Sequence, residues 1–327
     1  MADAALCDID NYLHRIIGSL NMDVPQPFDI IGDIHGHATE LWALLDLLGY
    51  RKHGSVYCHP SRKVLFLGDF IDRGPQQLAV LETVREMVEQ GQARSVMGNH
   101  EFNAIGWMSQ DAEGRVLREH SSKNYGQHEA FLTAVGEGSA SHREWISWFK
   151  TLPLWMDLPQ LQVVHACWSI EAMKLVAPWI DEQQRLIYAH LPHLFDRNTP
   201  AYTAVEVLLK GPEVVLPDGH VFYDKDNFPR KEARIRWWLA EGTLRETALL
   251  PANIAAGLPE FCMIDELARY PESVKPTFIG HYWMRGDPAP LNHNTACLDF
   301  SVAKDGQLVA YKFDGEKRLV KDKFVAV

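Results

Sequence analysis

Paired cysteines are missing from this 327-residue chain. Its five cysteines, at 7, 58, 167, 262 and 297, are odd in number, scattered and never spaced as CxxC. That excludes a disulfide-stapled scaffold and points to a reducing, cytoplasmic compartment. Long apolar runs are missing too. No segment approaches the roughly 18 apolar residues of a membrane span, and the acidic start MADAALCDID lacks a signal peptide's basic flank and apolar core, so no membrane partner is expected. Positive charge is also scarce: 32 Lys+Arg against 43 Asp+Glu leave a formal charge of -11, which repels polyphosphates at long range and argues against a nucleic-acid duplex as partner. Any phosphate-bearing ligand therefore needs a locally positive site. What is present is ordinary globular material, 46% hydrophobic and 23% charged, and a chain of this length buries about three quarters of its unfolded surface without staples.

Leu6, Ile9, Leu13, Ile16, Ile17 and Leu20 recur at helical spacing, so residues 1–27 read as an N-terminal helix and a Pro25-Gln-Pro27 spacer. From Phe28 the pattern changes to short apolar runs ending in Gly/Asp/His clusters, each followed by a helical stretch, as in βα units of a layered sheet. Phe28–Ile31 runs into Gly32-Asp33, Val64–Leu67 into Gly68-Asp69, and Ser95–Met97 into Gly98-Asn99. Leu154–Asp157 and Leu161–His165 predict a hairpin whose second strand ends on His165, and Thr277–Gly280 predicts a strand ending at His281. Ala296–Val302 and Gln307–Phe313 predict a hairpin turning at Lys304-Asp305-Gly306. Residues 168–275 read as an insertion or cap with helices over Trp179–Leu191, Ala201–Leu209, Arg230–Glu241 and Cys262–Arg269. A domain over 28–313 with this interruption and a tail over 314–327 follows.

The chemistry concentrates at strand ends. Gly32-Asp33-Ile34-His35-Gly36 sets a carboxylate and an imidazole two residues apart, able to face one metal. Gly68-Asp69-Phe70-Ile71-Asp72-Arg73-Gly74 adds two acids and a guanidinium, and Gly98-Asn99-His100-Glu101 adds an amide, an imidazole and an acid. One such Asp is more often a turn or a helix cap. Three in series, with His165 and His281 at later strand ends, point instead to a shared ligand site at the sheet edge.

These three motifs resemble those of the calcineurin-like metallophosphoesterases, in particular the GDxHG, GDxxDRG and GNHE motifs of the phosphoprotein phosphatase branch. The form GDFIDRGPQ is similar to bacterial members, which include diadenosine tetraphosphate hydrolases and serine/threonine protein phosphatases. The resemblance covers roughly 28–168 and 276–313. It implies a four-layer αββα sandwich of the α/β class carrying a mostly helical insertion. It also implies two divalent metals, with Asp33 and His35 holding the first, Asp69 bridging, and Asn99, His165 and His281 holding the second. That donor set suits Mn²⁺ first, then Fe or Zn²⁺, better than Ca²⁺ or Mg²⁺. By the same resemblance a metal-bound water attacks a phosphate ester or anhydride directly, His100 protonates the leaving oxygen with Asp72 orienting it, and Arg73 grips the phosphate. Glu101 is expected beside the centre. The substrate is a phosphorylated small molecule or a phosphoprotein; a non-catalytic phosphate-binding module is the remote alternative, disfavoured because no ligand is missing.

Two departures from the branch stand out. Met97 occupies the position before GNHE where an arginine is usual, and the later histidine motif reads His165-Ala166-Cys167. A second phosphate-gripping arginine is then sought among Arg230, Arg234 and Arg236, with Arg236 favoured for its place beside Trp237-Trp238. Cys167 is expected to be a small buried residue. His128 and the other scattered histidines are read as surface or hydrogen-bonded residues, and the tryptophans as core.

Overall fold

In the computed structural model of the chain, residues 26–217, 219–223, 229–239, 241–259, 270 and 274–327 are described. The helices expected over Leu6–Leu20 and Cys262–Arg269 lie outside them. β1 (Phe28–Ile31) leads to a helix over Ala38–Leu48, the hairpin β2 (Arg51–His53) and β3 (Val56–Cys58), then β4 (Lys63–Phe66), a helix over Gln77–Glu89, β5 (Ala93–Ser95) and a helix over Asn99–Met108. Helices over Ser122–Val135 and Ala140–Phe149 precede the antiparallel pair β6 (Trp155–Asp157) and β7 (Gln162–Val164). After the insertion come β12 (Thr277–Ile279), β13 (Thr295–Cys297), β14 (Asp299–Phe300), β15 (Gln307–Phe313) and β16 (Phe324–Ala326). Within the insertion, helices over Ile170–Val176, Leu191–Phe195 and Pro200–Lys210 are followed by the short strands β8 (Glu213–Val215), β9 (Phe222–Tyr223), β10 (Pro229–Arg230) and β11 (Glu232–Arg234).

Two sheets form. One has the order β14-β15-β1-β4-β5 with β16 added beside β15, and the other β13-β12-β7-β6. β1, β4 and β5 run parallel, as do β7, β12 and β13. Apart from Lys63 and Arg94 their residues are buried on both sides, as parallel strands covered by a layer on each face require. Alternation decides the destination of each side chain. Ile30, Leu65, Val163 and Phe278 meet in the core between the sheets, while their neighbours Ile31, Phe66, Val164 and Ile279 face the helical layers. The expected four-layer arrangement is the one found.

Four local expectations differ. Trp179–Leu191 is not one helix: short 3-10 turns at Ala177–Trp179 and Tyr188–His190 flank a bridge between Ile180 and Leu186. The run Ala296–Val302 is not one strand of a hairpin: Thr295–Cys297 pairs with β12 in one sheet, and Asp299–Phe300 with β15 in the other. Leu298 makes the crossing, its N–H donating to Ile279 O at 2.8 Å. Arg230–Glu241 is not helical either, since β11 pairs with β8 in an antiparallel ladder. The span expected as a tail over 314–327 rejoins the sheet through β16, in register Val309 to Ala326.

Candidate metal centre

Every residue predicted as a ligand follows a strand of the two sheets. Asp33 and His35 lie in the loop after β1, Asp69 after β4, Asn99 at the helix start after β5, His165 after β7 and His281 after β12. Open α/β sheets gather ligands at this edge. His35, Asp69, Asp72, Arg73 and His281 all hold left-handed backbone, with φ between 47° and 70°, a conformation that costs a non-glycine residue of order 1 kcal/mol and concentrates at functional sites.

The six candidates are buried and tied together. His35 Nε2 is 3.6 Å from Asp69 Oδ2, His165 Nε2 is 3.4 Å from the same oxygen and 3.2 Å from Asn99 Oδ1, and His281 N donates to Asp33 Oδ2 at 3.0 Å. Among the described residues, two sets of donor atoms lie close enough to hold an ion: His35, Asp69 and His100, and Asp69, His165 and His281; the predicted ligand Asp33 stands in neither. Asp69 belongs to both. The far nitrogens are fixed by carbonyls, His35 Nδ1 on Ile71 O at 2.9 Å and His165 Nδ1 on Leu67 O at 2.7 Å, which orients each Nε2 inward. Two glycines permit the approach. A Cβ on Gly280 would stand 2.0 Å from Asp33 Oδ1, and one on Gly98 2.2 Å from Asp69 Oδ1.

Charge in this cluster is out of balance. Burial, then the Asp299 and Asp69 carboxylates, push Asp33 well above the usual carboxylate range. Burial also raises Asp69, but His165 and His100 outweigh it and hold that acid well below its ordinary value. His165 would be lowered by burial, yet Asp69 and Asp33 lift it to about 10, while burial and His100 drive His35 down to about 3. Asp33 Oδ1 and His281 Nε2 are buried with no hydrogen-bond partner. Two carboxylates, three imidazoles and an amide with orphaned donor atoms among them form a donor set that fits divalent cations.

Around the cluster, Glu101 fastens the second motif to the third. Its carboxylate accepts from the N–H groups of Asp69 (2.8 Å), Phe70 (2.8 Å) and Gly98 (3.0 Å), while burial and the Asp69 charge raise it to about 7. His100 Nδ1 meets Asp72 Oδ2 at 2.5 Å, and its Nε2 turns toward Asp69 Oδ2, 3.9 Å away. The other Asp72 oxygen is taken by His128 Nδ1 at 2.7 Å. His128 is only 4% exposed, so of the two readings given for the scattered histidines it is the hydrogen-bonded one, here tied to the acid beside the centre. No motif marks it, because it comes from the helix Ser122–Val135. Despite burial, His128 and His100 hold Asp72 well below the usual range.

Beside the centre opens a cleft of about 1260 Å³ walled partly by the insertion, in which basic side chains outnumber acidic ones. Arg73 lies in it, its guanidinium 4.4 Å from the Trp283 ring. Arg230 and Arg234 line it, and Arg234 is among the charges that lower His281 after burial. Arg236 does not. Its backbone pairs with Thr247, its guanidinium donates to Glu246 O at 2.5 Å, and the favoured candidate therefore faces away from the cleft. Cys167 is fully buried and its thiol pushed up by burial, as expected of a packing residue. Trp237 packs beneath the site, donating to Ala166 O at 3.0 Å.

A family model described as calcineurin-like phosphoesterase matches residues 26–216, more than half of the chain. The chain belongs to the calcineurin-like phosphoesterases. The matched span holds every predicted ligand except His281, and members of this metallophosphoesterase family use divalent metals. The asymmetrical bis(5'-nucleosyl)-tetraphosphatase PrpE of Anoxybacillus flavithermus is 50% identical over 74 residues, 22% of this chain and 30% of that protein. Its namesake from Oceanobacillus iheyensis is 31% identical over 139 residues, 42% of this chain and 54% of the relative. The chain thus covers less than two thirds of either relative. Among solved structures, a serine/threonine protein phosphatase from Saccharomyces cerevisiae is 11% identical with a TM-score of 0.48, the match covering 100% of this chain and 89% of that one. No helix among the described residues is long and apolar enough to cross a membrane.

Proposed function

We propose that this calcineurin-like phosphoesterase hydrolyses phosphate esters or anhydrides with two divalent ions, Mn²⁺ the preferred species. Asp33 and His35 would hold the first ion and Asn99, His165 and His281 the second, with Asp69 shared. The observation that carries the reading is Asp69 standing in both donor sets. When bound, two such ions acidify a water and draw charge from phosphoryl oxygens.

The protein's own groups supply the rest. Asp72 holds His100 by Nδ1, leaving Nε2 free to give a proton to the departing oxygen. Arg73, braced on Trp283, offers a forked pair of donors to the phosphate. The basic cleft meets the need for a locally positive site in a chain of charge -11. Dinucleoside polyphosphates head the substrate panel because the relatives carry the tetraphosphatase name; phosphopeptides are the second arm. The test is hydrolysis of p-nitrophenyl phosphate and of an alkyl phosphate such as glycerol phosphate, with added Mn²⁺, in the parent and in His100→Ala. The variant should retain two ions by elemental analysis yet lose roughly 10² to 10⁴ on alkyl phosphates. A metal-stripped parent with full activity refutes the reading.

A further inference from the structure

The cleft cations differ in what neutralises them. Lys210 Nζ is 2.6 Å from Glu206, Arg230 Nη2 3.2 Å and Arg234 Nε 3.8 Å from Glu213, and Arg115 Nε 2.7 Å from Asp111. Arg118 is held otherwise. Its guanidinium donates to the amide oxygens of Asn103, Asn124 (3.1 Å) and Gln127 (3.3 Å), and among the described residues no carboxylate forms an ion pair with it. Burial lowers its pKa from the arginine norm, with Glu206 and Asp72 opposing from farther away. Three neutral acceptors fix the plane of this side chain without cancelling its charge. Holding a partly buried cation uncompensated is costly unless an anion completes it.

Its place along the helix Asn99–Met108 says where that anion sits. Asn99 belongs to the metal centre, His100 follows, and Asn103, the anchor of Arg118, lies on the same face one turn farther on, about 5 Å along the axis. A substrate with its reacting phosphoryl group at the centre passes its leaving group over His100 toward Arg118. We infer that Arg118 is a specificity-determining residue that binds a phosphate on the leaving group, favouring phosphoanhydrides over esters whose leaving group carries none. This rests on the hydrolase reading above. In the reaction, the water oxygen bonds to the terminal phosphorus, the P–O bond to the leaving group breaks, and that oxygen keeps the electron pair. A departing alkoxide takes a proton from His100, whereas a departing phosphate also needs its negative charge met, which a guanidinium does.

The experiment compares kcat/KM for ADP and for p-nitrophenyl phosphate, with added Mn²⁺, in the parent, Arg118→Gln and Arg118→Lys. The ratio of ADP to aryl ester should fall about tenfold or more in Arg118→Gln and recover in part in Arg118→Lys, the span expected for a charged hydrogen bond. Binding of AMP, the leaving group itself, should weaken by a similar factor in titration calorimetry. An unchanged ratio in a folded Arg118→Gln, or AMP binding equal to the parent, overturns the inference. A parent that cleaves the aryl ester but not ADP also overturns it, while a parent that cleaves neither overturns the hydrolase reading instead.

Discussion

At the scale of single residues, Asp69 and Asp72 divide the work. Asp69 faces both candidate ion positions, so Asp69→Asn should lower kcat more than 100-fold and reduce the metal found by elemental analysis, judging by the several kcal/mol an ion supplies to a phosphoryl transition state. Asp72 instead spends one oxygen on His100 and the other on His128. With both oxygens occupied, the carboxylate has one orientation, and His100 inherits it. His128 is therefore a positioning residue, and the contact is specific to Nδ1. His128→Asn puts an amide N–H near that nitrogen and should stay within a few-fold of the parent. His128→Gln, which reaches too far, should lose about tenfold on alkyl phosphates and less on aryl phosphates, with metal content unchanged. A loss that is equal for both esters would assign His128 to folding alone. Asp33, His35, Asp69, Asn99 and His100 could be read from the chain because each sits in a short motif where Gly and a strand end leave a local mark. His128 and Arg118 leave none: a lone His or Arg on a helix or loop acquires its role only from the tertiary neighbour it meets.

At the scale of elements, the misread stretches share a cause. In the run 231–238, Ala233, Ile235 and Trp237 are buried at every second position, a strand period that the adjacent Trp237-Trp238 pair obscures. That alternation also explains the arginines, since β11 delivers Arg234 to the cleft before the chain turns at Arg236 to pair with Thr247. The run 296–302 reads as one strand because Ala296, Leu298, Phe300 and Val302 recur at every second position across it, so nothing local marks Leu298 as the crossing. The helix Ala140–Phe149 shows a cap that sequence rules do not list. Ser139 Oγ accepts from His142 N at 3.0 Å, and His142 Nδ1 accepts from Gly138 N at 3.1 Å, an imidazole in the usual place of a glutamate. Nδ1 must be unprotonated to accept. Burial and then His128 push His142 down to about 4. A folded pKa below the unfolded value near 6.5 means the unfolded chain binds more protons between the two, so this stability is fully present above about pH 6.5 and is lost as pH falls toward 4. The melting temperature should fall over that window. His142→Asn, whose Oδ1 can take the same hydrogen bond without titrating, should flatten the slope; an unaltered slope would remove His142 from the account.

At the scale of the whole molecule, the fold forces like charges together. Two sheets whose parallel strands end at one edge bring Asp33, Asp69, Glu101 and Asp299 into a single buried neighbourhood, and burial followed by mutual repulsion raises three of them, Asp33, Glu101 and Asp299. In a chain already carrying -11, such crowding opposes folding unless cations relieve it. Binding ions to the folded state alone adds RT ln(1 + [L]/Kd), about 2.7 kcal/mol at a hundredfold excess over Kd. For 327 residues at about 2.1 cal/mol/K each, that corresponds to roughly 4 °C in Tm for each ion. Chelation with EDTA should therefore lower Tm by at least that much, and added Mn²⁺ should restore it, with two ions per chain counted before and none after. The pH dependence of the effect has a fixed sign. Protons and ions compete for Asp33, whose carboxyl burial and its acidic neighbours push above the usual range, so the gain in Tm on adding Mn²⁺ must shrink as pH falls. A Tm gain that stays constant or grows on acidification, with ions still counted, would show that the ions sit elsewhere than at Asp33 and Asp69.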